Sequence, residues 1–190
     1  LNISNNMRNG NFVNATDNTF LRLSATNSFI NTLFTNTIGS ATWTAGQTAV
    51  TDVVHATTAA NVGADASLYA LRLAASITGA AGSLPTITFA SSDTNNLGGL
   101  LVSAAASVAG VNLKFGNTGT SNAYIYTGAA LTLTGDILAD SVTKFGASSL
   151  SIFKDQQNLN GITWYVNAGT LQLNTQYAAG QNANIILQGG

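Results

Sequence analysis

The chain has 190 residues, of which only 7% are charged, against about a quarter in typical soluble proteins. All seven acids are aspartate, the formal net charge is −1, and cysteine is absent. There is thus no basic field to steer nucleic acid or an anionic membrane, no disulfide to staple the fold, and no apolar run of about 18 residues to cross a bilayer as a helix.

Polarity is carried instead by Asn, Thr, Ser and Gln, while hydrophobic residues reach 45%, too many for a disordered tract. The sequence opens at Leu1 without the charged and apolar regions of a signal peptide, which points to processing or to a segment of a longer protein. Residues 1–64 read as divergent N-terminal turns and 65–190 as repeat-like turns of one segment.

In chain order, the first element is the apolar pair Leu21/Leu23, two residues that share one side of a strand. Residues 55–75 form an alanine-dense stretch and the one helical candidate, but Gly63 and the threonines weaken it, and Leu71/Leu73 already alternate. The same pairing recurs at Ile87/Phe89, Leu113/Phe115, Leu131/Leu133, Leu150/Ile152, Leu171/Leu173 and Ile185/Leu187, between Gly, Asn, Ser, Thr and Asp turns.

Spacing turns these pairs into an architecture. Leu113 to Leu131 is 18 residues, Leu131 to Leu150 is 19 and Leu150 to Leu171 is 21. A step of about 20 residues suits one turn of a coil of short strands. Ile87 to Leu113 is 26, as a bulging loop would require. An antiparallel β-sandwich also gives short alternating strands. A parallel coil, however, stacks each position on its equivalent about 4.8 Å away, where like charges repel and neutral amides and hydroxyls form ladders. Scarcity of charge therefore favours an all-β parallel solenoid. Nine or so turns would make a rod of about 45 Å.

Val142 to Asn174, "VTKFGASSLSIFKDQQNLNGITWYVNAGTLQLN", resembles the autotransporter-associated β-strand repeat of bacterial passenger domains. Lys144, Gly146, Leu150 and Ile152 match its first half, Asn158 and Gly161 supply its turn, and Val166, Gly169, Leu171 and Leu173 match its second half. Ser148 replaces a usual glycine, Lys154 and Asp155 intrude, and the link to Val166 is about two residues longer. Residues 68–73 and 84–103 are similar to the strands that precede this repeat. The resemblance implies a right-handed parallel β-helix, exported across the outer membrane of a Gram-negative bacterium to the cell surface or beyond. The translocating barrel of such proteins is not seen in this sequence.

Chemistry-bearing residues are sparse. His55 lacks a second histidine or cysteine for zinc, and a triad with Asp52 or a nearby serine lacks a nucleophile elbow. A turn or surface histidine is the commoner reading. Asp136 and Asp140 are the best carboxylate pair for glycoside chemistry, although turn aspartates bonding nearby backbone are commoner. Calcium-binding nonapeptides and phosphate loops are missing. Trp164 and Tyr165 occupy opposite strand faces, so one belongs to the core and the other is a candidate sugar platform.

No catalytic, cofactor-binding or metal residue is assigned, and no cofactor. The reading is a non-catalytic extracellular stalk, adhesin or surface-filament element. The alternative is a polysaccharide-binding or polysaccharide-degrading module on the same coil; a capsid or tail-fibre protein would appear as a trimer. Ile185 and Leu187 remain in strand register without a polar cap. Further chain, or another copy stacked end to end, is therefore expected at that edge.

Overall fold

The computed structural model describes residues 13–23, 29–31, 34–39, 42–90, 98–117, 121–157 and 159–188. From Asn36 onward the chain winds into a parallel β-solenoid whose strands lie on three faces. The first face stacks eight strands: Asn36–Ile38, Val53–Ala56, Ala70–Leu73, Gly99–Val102, Asn122–Thr127, Ser141–Phe145, Thr163–Val166 and Asn184–Leu187. The second stacks seven, from Thr42–Trp43 to Thr170–Leu173. The third stacks four: Ala66–Leu68, Thr86–Phe89, Asn112–Phe115 and Ile137–Leu138.

Neighbouring coil strands all run in the same direction, which excludes the sandwich. The described residues contain no helix. The alanine-dense stretch 55–75 instead carries the strands Ala60–Val62, Ala66–Leu68 and Ala70–Leu73. There tertiary burial of alternate residues overrides alanine's helical preference.

The solenoid has about 7 turns of about 21 residues, fewer than the nine expected, and a rod of about 34 Å follows at ~4.8 Å per turn. Two causes account for the difference. Some turns are long: Leu71 stacks on Leu100 and Leu100 on Ile125. In addition, Val13–Asn14, Thr19–Leu23 and Phe29–Asn31 pair antiparallel and add no turn.

Register separates true repeats from coincidences. Leu131, Leu150 and Leu171 stack directly on the second face, and Ile87 stacks on Leu113 on the third. Leu113 and Leu131, by contrast, lie on different faces; the next residue above Leu113 is Ile137. Leu71 and Ile87 are likewise on different faces. A one-dimensional spacing cannot tell which face a pair occupies.

The interior is filled by these inward columns. Val54, Leu71, Leu100, Ile125, Lys144, Val166 and Leu187 form one such column on the first face. On the third face the Phe89 and Phe115 rings stack at 4.5 Å and 4°. Turn-to-turn polar contacts are mostly neutral: Ser151 with Gln172, Ser141 with Asn122, and Asn182 with Asn160. These are the amide and hydroxyl ladders that scarce charge favours.

A second, smaller core lies outside the coil. Phe20, from the antiparallel unit, is buried on the outward residues Val53, Ala70, Leu101 and Tyr126 of the first face, together with Tyr69. Asp17 fastens the unit by accepting from Asn14 Nδ2 at 2.8 Å and Asn31 Nδ2 at 2.7 Å. The pair Leu21/Leu23 therefore belongs to this strap and not to a coil rung.

At the corner between the first and second faces, Thr127 Oγ1 donates to Ser148 O at 3.0 Å. Lys144 is fully buried, and its Nζ donates to Gly146 O at 2.7 Å and to Ala168 O at 2.6 Å. Gly169 adopts φ 69°, and a Cβ there would stand 2.4 Å from Ser148 O. Only glycine fits such an approach. Asn158 lies outside the described residues, while Gly161 turns the chain at φ 70°.

Candidate functional site

A groove of about 380 Å³ opens at the corner that follows the second face, lined by Asp136, Phe153, Lys154, Asp155, Gln157 and Thr175. These residues come from three successive turns. Strand Ser149–Ile152 delivers Phe153, whose N–H donates to Leu133 O at 2.9 Å. Phe153 is 51% exposed.

The corner is held rigidly by Gln156, a residue unremarked in the sequence. Its buried amide stands in for a missing third-face strand: Oε1 accepts from Ile137 N at 2.7 Å and Nε2 donates to Gly135 O at 3.1 Å. Those two bonds bracket Asp136. Upward, Gln156 N donates to Tyr177 O at 2.9 Å, and Asp155 Oδ1 accepts from Tyr177 N at 2.9 Å. Thr175, the Tyr177 N–H and nearby Lys154 together hold the Asp155 carboxyl below its ordinary range. Such an acid stays ionised and accepts hydrogen bonds.

The Asp136–Asp140 pair is not brought together here. Asp136 enters the groove, whereas Asp140 is exposed beyond the intervening strand, with its N–H on Ser121 O. Asp136 shares the groove with Asp155 instead, a neighbour that spacing alone does not reveal because the two come from different turns. One signal was present: Lys154 and Asp155 break the repeat pattern where the groove is built.

His55 and Asp52 have different partners. His55 Nε2 lies 3.4 Å from Arg72 Nη1, and its ring centroid 4.6 Å from that of Phe34. Burial, then the Arg72 charge, push the imidazole below its usual range. Asp52 serves backbone and neighbouring side chains, accepting from Ala49 N at 2.9 Å and Thr35 Oγ1 at 3.1 Å. No Asp–His relay forms.

Trp164 is the core member of the aromatic pair: it is buried, and its Nε1 donates to Ala179 O at 2.8 Å. It offers no sugar platform. Tyr165 faces outward, between Thr143 and Ile186. Among the described residues no group of three or more His, Cys, Asp or Glu is placed to hold a metal ion. No described helix is long and apolar enough to cross a membrane.

The two ends of the coil differ. Ile38 and Trp43, on the first rungs, are each 1% exposed, whereas Leu187 on the last rung is 75% exposed. Comparison with family models, curated proteins and solved structures returned no match.

Proposed function

We propose that this chain is a non-catalytic structural element displayed outside the cell, a solenoid stalk or adhesin segment of the autotransporter-passenger type. The observation that carries this reading is the first face, an unbroken parallel ladder of eight strands with a filled interior. Such a rod sets a distance and presents flanks. The residues that resemble the passenger repeat support the finer assignment, because Lys144, Gly146 and Gly169 meet at one tight corner. Its acids also lean towards structure, since Asp52 and Asp155 bind backbone N–H groups.

The open rung at Ile185 and Leu187 belongs to an end-to-end contact, with a second copy or with further chain continuing the ladder. The test of display is direct. Antibody against this chain should label intact source cells, and external protease should remove the label. Labelling that requires lysis sinks the extracellular assignment.

A further inference from the structure

We propose that the groove around Phe153 is a binding site for a neutral oligosaccharide. The inference does not depend on the stalk reading, since a rod can carry a site on its flank. Phe153 is half open to solvent and lines the same groove as Asp136, Lys154, Asp155, Gln157 and Thr175. Single exposed apolar residues are ordinary; an aromatic one inside a polar concavity is the usual composition of a small-ligand site.

The groove's chemistry fits a sugar on both of its surfaces. A pyranose ring has an apolar C–H face, which lies well on an aromatic ring. Its edge carries hydroxyls, which donate to carboxylates and accept from ammonium and amide groups. Asp155, whose Oδ1 accepts from the Tyr177 N–H at 2.9 Å, presents a further carboxylate acceptor. The Asp136 backbone is held by Asn112 Oδ1 and Leu113 N, whereas its carboxylate has no hydrogen-bond or ion-pair partner among the described residues and is available to a ligand. Lys154 and Gln157 supply the donors.

Two further features favour this occupant. Gln156 pins the corner to the turn below and the turn above, so the backbone that carries Lys154, Asp155 and Gln157 is fixed before a ligand arrives. The volume, about 380 Å³, lies within the range of about 300–1,000 Å³ usual for small-ligand pockets. Two carboxylates against one ammonium disfavour an acidic sugar such as a uronate.

An NMR titration of the full chain tests the site, using maltose, cellobiose, lactose and diacetylchitobiose, with trigalacturonate as the acidic probe. We expect at least one neutral disaccharide to shift the amide signals of residues 153–157 and 175. Phe153→Ala and Asp136→Asn should each weaken that binding at least tenfold, while Phe153→Trp should restore a platform and retain it. Far-ultraviolet circular dichroism checks that each variant keeps the wild-type fold. The proposal is overturned if no neutral disaccharide shifts these signals at tens of millimolar. It is equally overturned if a folded Phe153→Ala variant binds as wild type, or if trigalacturonate alone binds.

Discussion

Lys144 Nζ donates to the carbonyl oxygen of Ala168, one turn further along the coil, at 2.6 Å. The same nitrogen reaches Gly146 O at 2.7 Å, so one amine ties the ends of two successive first-face strands. It does so from an otherwise aliphatic column, below Val166 and above Ile125. No carboxylate is needed, because corner carbonyls that lack a ladder partner accept instead.

That placement predicts a pH dependence. Burial lowers the Lys144 amine from 10.5 to about 8. The folded chain therefore releases this proton first, and between those two values the unfolded chain binds more protons. Stability should rise with pH across that window, with the penalty fully present below pH 8. Urea unfolding from pH 7 to 9.5, short of the Tyr126 hydroxyl that burial raises above 10.0, should show an increasing midpoint. Lys144→Met should flatten the slope. A wild-type midpoint that falls over this range would refute the account.

Gly169 and Gly161 share nearly the same backbone, φ 69° and 70°, but different surroundings. A Cβ on Gly169 would stand 2.4–2.6 Å from Ser148 O, Gly146 O and Lys144 Nζ, whereas one on Gly161 meets nothing within 4 Å. Gly161→Ala should cost about 1 kcal/mol for the left-handed conformation alone. Gly169→Ala should cost about 3 kcal/mol or more. Equal losses in chemical denaturation would show that crowding at the corner is unimportant.

Adjacent aromatics should behave in opposite ways. Trp164→Ala opens a cavity beneath Ile185 and leaves Ala179 O without its donor, a loss of about 3–5 kcal/mol. Tyr165→Ala, on the outer side, should change stability by less than about 1 kcal/mol. Comparable losses would contradict the inward and outward assignment.

The strap should open without the coil. Phe20→Ala removes its anchor on Leu101 and Tyr126, and amide protection over residues 13–23 should fall about a hundredfold. Exchange within Asn122–Thr127 should stay slow. Cooperative loss of both would mean that strap and coil are one unit.

If copies meet at the open rung, Leu187→Asp should convert associated wild-type protein to monomer in light scattering, since a charge on that rim opposes stacking. Wild-type protein that is monomeric at all concentrations argues against self-association there.

How much of this was legible beforehand divides along physical lines. Alternation exposes the inward pairs, because a strand places every second residue on one side. Weak charge favours parallel stacking, and the column Leu131, Leu150, Leu171 follows. Which face a pair occupies was hidden, since corners vary in length. Leu113 thus aligned in number with Leu131 but in space with Ile137. The strap was hidden too, because Phe20 packs against the outside of residues far along the chain. The groove draws on three turns, so only its disturbance of the repeat at Lys154 and Asp155 left a trace.

The neutral rows along the flanks have an environmental consequence. Ser151 with Gln172 and Asn182 with Asn160 hold adjacent turns through dipoles, and mobile ions screen charges far more than short dipolar contacts. Dissolved salt therefore has little to weaken. The rod should keep its shape alike in pond water and in brine.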